Sequence, residues 1–274
     1  VNPSLGDVVG VLDELYDPAW AESWDAVGLV TGELDQPIRK VLFAVDPMRA
    51  VIDEAIEGGF DLIVSHHPLL LRGVNSVAAI NPKGKVIHDL IRNNLALHVC
   101  HTNADNANPG VSDALAAAIG IANTRPLKPM PPGFPSSLGG GRIGNLQQPM
   151  PLADFADRVR QNLPPTEHGV RVSGDPDRLI ETVAVVGGSG DSEFDRVRAA
   201  GADAYVTADL RHHPATEARA YDEGPALVDV AHWASEWPWL QDAERLLLAG
   251  LADRGSTVDT HISTLCTDAW TLRL

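Results

Sequence analysis

Residues 60–70 read FDLIVSHHPLL, and this stretch decides the fold class. LIVS (Leu62–Ser65) shows no polar alternation, as expected of a strand buried on both faces, and it runs straight into His66, His67 and Pro68. Upstream, VLFAVD (Val41–Asp46) is a second such strand, and apolar positions across Met48–Glu57 recur at helical spacing. Downstream, GKVIHDLIRNN (Gly84–Asn94) predicts a helix and ALHVC (Ala96–Cys100) a strand. VSDALAAAIG predicts another helix, closed by Gly120. Continuous apolar strands separated by helices imply a parallel or mostly parallel sheet covered on both faces.

The texture changes between Ile121 and Leu146, where TRPLKPMPPGFPSSLGGGRIGNL is dense in Pro, Gly and Ser. This segment predicts a connector, partly extended and partly turn. The expected division is a first α/β lobe over 1–125, a connector over 126–146 and a second α/β lobe over 147–274. In that second lobe, PLADFADRVRQNL, SEFDRVRAAG and HPATEARAYDEG predict helices. VAVVGG (Val183–Gly188), AYVT (Ala204–Thr207) and ALVDV (Ala226–Val230) predict strands. One long helix is expected over SEWPWLQDAERLLLAGLADRG, and TVDTHIS predicts the last strand. The halves echo one another, since ADAYVTADLRHHPA (202–215) is again a strand leading to His-His-Pro. The expectation is therefore an α/β protein of two related α/β lobes with mixed or mostly parallel sheets. Its metal site would lie at strand C-termini between the lobes, where open α/β sheets place ligands.

The 274 residues are 44% hydrophobic and 21% charged, ordinary for a globular protein. A formal net charge of −16 argues against bulk nucleic-acid binding and against anionic membranes. Two cysteines, Cys100 and Cys266, make no disulfide framework, and the first twenty residues lack a basic and an apolar signal region. No apolar run reaches the roughly 20 residues of a membrane span. A cytoplasmic setting with no membrane partner is the expectation.

Five side chains form the candidate metal set: His66, His67, Asp105, His232 and Glu236. Imidazole with carboxylate suits borderline divalent cations such as zinc, manganese or iron. Five donors exceed what one hydrolytic zinc takes while keeping a position open for water. Two ions sharing a bridging carboxylate would use all five. Because neighbouring side chains on a strand point to opposite faces, His66 and His67 can serve one cluster only where the strand has ended. A pair of solvent-exposed histidines at a strand end is the plain alternative. In HTNAD (His101–Asp105), Asp105 would bridge the ions, although on spacing alone a turn and helix cap is the stronger reading. His101 sits at the strand tip as a ligand, an acid–base group or a partner that orients a ligand. In HWASE, His232 and Glu236 are four apart and converge if the helix has begun. Otherwise Ser235 and Glu236 simply start that helix beside a chance histidine.

Other features carry less. His88 and His98 fit structural positions, while His168 and His261 offer nothing specific. His212 and His213 are candidates for substrate binding or pocket lining. GGSG (Gly187–Gly190) fits a local phosphate contact or the pocket floor, but this turn does not extend to a full GxGxxG fingerprint and carries no Walker lysine. With no GxSxG elbow, a covalent nucleophile is not indicated.

Taken in order, several segments resemble the dinuclear-metal-centre, ring-forming family of type 2 homologues of GTP cyclohydrolase I. They are WDAVGL (Trp24–Leu29), VLFAVD, EAIEGGFDLIVSHHPLL, HTNADNANPGVSDALA, GGGRIGNL, VAVVGGSG, AGADAYVTADLRHHPATEA and VDVAHWASE. The resemblance runs nearly end to end. It implies that His66, His67, Asp105, His232 and Glu236 are the metal ligands and that His101 lies near them. It also implies two divalent ions per subunit and a homohexameric toroid. Departures are Ala26 where the family usually has Asn, Ala208 where TGD is usual, and Ala231-His232-Trp233 where GHY is commoner. None removes a ligand. Some relatives insert a further small domain, for which the connector here is too short.

The leading expectation is a metal-dependent hydrolase of a purine nucleotide, nominally GTP, opening the guanine imidazole ring with release of formate and using His101 for proton transfer. A metal-dependent phosphoesterase or nucleotidase is the enzymatic alternative. A non-catalytic metal-binding ring, serving as scaffold or metallochaperone, is the other.

Overall fold

Unbroken apolar runs become two sheets in the computed structural model, which describes residues 2–274. By its internal packing the chain divides into two units, Val1–Ala104 with Leu240–Thr267, and Asp105–Trp239 with Asp268–Leu274. The fold is α/β, as expected, with two mixed sheets.

In the first unit the strands are β1 (Gly28–Thr31), β2 (Lys40–Ala44), β3 (Leu62–Ser65), β4 (Ala96–Val99) and β11 (Asp259–Ile262). Their order is β1-β4-β3-β2-β11. All neighbours are parallel except β1, which runs antiparallel to β4. Helices α1 (Leu5–Leu15), α2 (Arg49–Glu57) and α3 (Pro82–Arg92) belong to this unit. Leu42, Ile63 and Leu97 pack with Val51, Ile52 and Ala55 of α2 and Val86, Ile87 and Leu90 of α3. The alternate strand residues Val41, Phe43, Leu62 and Val64 are fully buried too, so both faces of the sheet are covered.

The second unit holds β5 (Ile121–Pro129), β6 (Gly139–Pro151), β7 (Arg171–Ser173), β8 (Leu179–Ser189), β9 (Ala204–Ala208) and β10 (Ala226–Val230). Their order is β5-β6-β8-β9-β10-β7. A parallel array, β8-β9-β10, is flanked by antiparallel strands. Helices α5 (Val111–Ala118) and α6 (Leu152–Asn162) cover one face through Leu115, Phe155 and Val159. Val197 of α7 (Phe194–Ala199) packs on the other, with Ala184, Tyr205 and Leu227.

Three expectations need correction. The Pro- and Gly-rich segment is no connector: β5 and β6 pair as an antiparallel hairpin inside the second sheet. Its prolines are tolerated because β5 is an edge strand. At Gly144 a Cβ would lie 2.4 Å from the Ala122 carbonyl oxygen, so the strands approach closely because the residue is glycine. The boundaries at 125, 126–146 and 147 therefore fall within one sheet, and the expected 147–274 lobe loses its last strand. That strand, β11, lies parallel to β2 in the first unit. Finally, the long helix expected from Ser235 is two, α9 (His232–Glu236) and α10 (Trp239–Ala252). Pro238 lies between them, where it lacks an amide hydrogen and its ring would clash with a continuing turn. No helix among the described residues is long and apolar enough to cross a membrane.

Candidate metal centre

Each unit gathers chemistry at the carboxyl ends of three neighbouring parallel strands, the place where open α/β sheets hold ligands. In the first unit, Asp46 follows β2, His66 and His67 follow β3, and His101 follows β4. Ser65 ends the strand and its hydroxyl donates to the His67 carbonyl at 2.9 Å, folding the backbone so that both imidazoles serve one cluster. Donor atoms of His66, His67 and His101 all lie within 4.8 Å of one another, a group able to hold a metal ion. Their ring centroids are 5.0–5.5 Å apart.

Each of these rings has its Nδ1 at an oxygen acceptor. His66 Nδ1 donates to the Cys100 carbonyl at 2.9 Å, and since a carbonyl only accepts, the tautomer is settled. His67 Nδ1 meets Asp46 Oδ1 at 2.7 Å, and His101 Nδ1 meets Asp25 Oδ1 at 2.8 Å. The lone pair of each neutral ring is therefore on Nε2. This is the arrangement that orients histidine toward a metal and raises its basicity.

Asp25 is the most firmly held of the acceptors. Its buried carboxylate also takes hydrogen bonds from the Thr102 amide at 3.0 Å and the Thr102 hydroxyl at 2.5 Å. Burial pushes this carboxyl up, but the bonds from His101 and Thr102 outweigh it and hold it well below the ordinary carboxylate range. Asp46 is braced by the Thr267 hydroxyl.

In the second unit, Gly188 lies near the end of β8, Asp209 follows β9, and His232 follows β10 as the first residue of α9. His232 Nε2 is 3.1 Å from Glu236 Oε1, one helical turn on, and its Nδ1 is 2.7 Å from Asp209 Oδ2. Burial disfavours charge on this imidazole, yet Glu236 and Asp209 push it up to about 11. In the metal-free site a proton stays where two carboxylates call for positive charge. A divalent cation would displace it, so metal uptake releases protons.

The glycine-rich turn serves this site rather than a phosphate. At Gly188, with φ +75°, a Cβ would fall 2.4 Å from Glu236 Oε1 and 3.0 Å from His232 Nε2. Only glycine leaves those donor atoms clear. The Gly188 amide donates to Ser235 Oγ at 2.8 Å, tying the turn to α9. A short 3-10 helix, Asp191–Glu193, follows with acids in its first turn, which opposes anion binding there.

Asp105, half-buried, lies in α4 (Thr102–Asn106). The loop that follows is clamped by the buried Arg142 of β6, which donates to Asp113 Oδ1 at 2.7 Å and to the Ala107 carbonyl at 2.6 Å. His212 and His213 are exposed at the start of α8 (His212–Arg219) and belong to no metal-capable group among the described residues. Sequence reasoning missed Asp25, Asp46 and Asp209. Their signal was present, an aspartate inside WDAVGL and one just past each of two apolar strands.

The donor chemistry fits a borderline divalent cation: imidazoles oriented by a backbone carbonyl or by outer carboxylates, with acidic donors and no thiolate. An α/β protein with such donor sets at the ends of parallel strands defines the class. Residues 3–269 match the family described as Duf34/NIF3 (NGG1p interacting factor 3), and the chain belongs to that family. A "GTP cyclohydrolase 1 type 2 homolog" from Streptomyces coelicolor is 53% identical over 270 residues, covering 98% of this chain and 94% of the relative. The relative of that name from Mycobacterium tuberculosis is 37% identical, covering 98% of this chain and 97% of its own. Its alignment spans 372 positions, so it carries a segment this chain lacks. Among solved structures, a Bacillus cereus protein related to NIF3 superposes with a TM-score of 0.91 at 26% identity, covering 98% of this chain and 99% of that one. The resemblance drawn from sequence motifs is borne out.

Proposed function

We propose that this chain is a metal-dependent hydrolase of a purine nucleotide, nominally GTP. In this reading His66, His67, Asp105, His232 and Glu236 hold two divalent cations per subunit, and His101 moves protons. The observation that carries it is the commitment of Nδ1 in His66, His67 and His101 to an oxygen acceptor, which puts the lone pair of each neutral ring on Nε2 for ligation. The name shared by the relatives from Streptomyces and Mycobacterium supports GTP as the substrate to try first. A homohexamer and a cytoplasmic setting, as the resemblance and composition imply, belong to the same proposal.

When bound, the cations supply Lewis acidity that makes water nucleophilic near neutral pH. His101 Nε2 takes the proton from the water that adds to C8 of the guanine imidazole ring. Asp25, ionised and fixed by Thr102, stabilises the imidazolium that results. His101 then returns the proton to the departing ring nitrogen. A second water cleaves the remaining formyl group, so two waters are consumed for each formate released. Acid–base help of this kind is worth about 10²–10⁴ in rate.

The test is turnover of GTP by metal-loaded protein with formate and phosphate both quantified. Formate without phosphate is the expected result. Inorganic phosphate or nucleoside monophosphate would replace this reading with phosphoester hydrolysis. No turnover across a nucleotide panel, with a protein partner recovered, would replace it with a non-catalytic ring.

A further inference from the structure

Trp24 stands beside the imidazole cluster and has no part in metal ligation. Its indole is 59% exposed, an apolar surface left in water. It stands edge-on to His101, with ring centroids 6.1 Å apart and planes at 80°.

The exposure does not come from a loose loop. Thr102 ties the chain on both flanks of the tryptophan: the Glu22 amide donates to its hydroxyl at 2.9 Å, and its own amide donates to Asp25 at 3.0 Å. The Asp25 amide further bonds the Glu22 carbonyl at 3.0 Å, closing the turn that carries Trp24. Asp25 is the buried partner of His101, so the same bonds that orient the imidazole also fix the indole's backbone. An aromatic face carried on a fixed backbone beside a reactive group, and left uncovered, suits a flat π-faced ligand.

We propose that Trp24 is the stacking platform for the heteroaromatic ring of the substrate. It would be a specificity-determining residue that selects a purine ring over the phosphates alone. This rests on the purine-nucleotide reading above and names the side chain that would recognise the base. Stacking on aromatic residues is tolerant of base identity, so Trp24 selects for a planar ring and leaves the choice among purines to other groups.

The experiment is calorimetric titration of the full chain, zinc-loaded, with GTP and separately with inorganic tripolyphosphate. Wild-type protein binds GTP at least about tenfold more tightly than tripolyphosphate. Trp24→Ala loses that preference by at least about fivefold, the scale of one stacked base, while Trp24→Phe keeps most of it. Tripolyphosphate binding is unchanged in both variants. The idea is overturned if wild-type protein shows no preference for the ring, including no binding at all. It is equally overturned if Trp24→Ala keeps the preference, or if it weakens GTP and tripolyphosphate alike. Zinc titration of the same proteins separates the two readings. Wild-type protein that binds no zinc yet keeps the ring preference sinks the metal centre alone, whereas zinc binding without ring preference sinks the indole alone.

Discussion

Two strand ends in this chain carry nearly the same letters and place their histidines differently. After β3, His66 and His67 follow Ser65 at once; His66 is fully buried and both rings join the donor cluster. After β9, Asp209, Leu210 and Arg211 intervene, and His212 and His213 open α8 in solvent. The place just past β9 is taken by Asp209, in the left-handed region at φ +57°, which accepts from His232. Distance from the strand end, rather than the His-His-Pro letters, decides which histidines can act on a ligand.

The largest effects should separate these two pairs. His66→Ala and Glu236→Gln should each weaken zinc binding by more than about 100-fold, beyond the loss expected for an outer partner. The double variant His212→Ala/His213→Ala should stay within about twofold, since neither ring belongs to a donor group. Competition with a chromophoric chelator measures all three. A double variant as defective as His66→Ala would erase the contrast.

A smaller loss is expected where the carboxylates only orient the imidazoles. Asp46→Asn and Asp209→Asn should each reduce zinc affinity by about 10–100-fold, with the fold retained by circular dichroism. Wild-type affinity in Asp209→Asn would reduce that residue to a turn former.

His98 sharpens the comparison from another side, as a buried histidine on β4 that is not a candidate ligand. Burial holds its imidazole down at about 4. The folded ring is thus neutral where the unfolded one takes a proton, at about 6.5. Stability from this group is complete above pH ~6.5 and is lost as pH falls toward 4, by on the order of 3 kcal/mol. Urea unfolding of metal-free protein at pH 7.5 and 4.5 should show a shallower loss in His98→Gln than in wild type. Equal losses would mean that the ring is solvated.

The parallel arrays were legible because strands buried on both faces leave unbroken apolar runs, as in LIVS, AYVT and ALVDV. The edge strands β1 and β7, only four and three residues long, passed unread. An edge hairpin rich in Pro and Gly has the composition of a linker, and only the pairing of β5 with β6 tells them apart. Histidine beyond an apolar strand is an unusual signal, so His66, His67, His101 and His232 stood out. Asp25, Asp46 and Asp209 did not, because aspartate after a strand is ordinary turn chemistry. Their role depends on which imidazole they face, and that is set by strand order.

The most direct test is a crystal structure of zinc-soaked protein with anomalous data collected at the zinc edge. We expect zinc within about 2.0–2.1 Å of the Nε2 atoms of His66, His67 and His232, with each Nδ1 still on its oxygen acceptor. Zinc bound only at His212 and His213, or no peak within reach of those Nε2 atoms, would contradict the account.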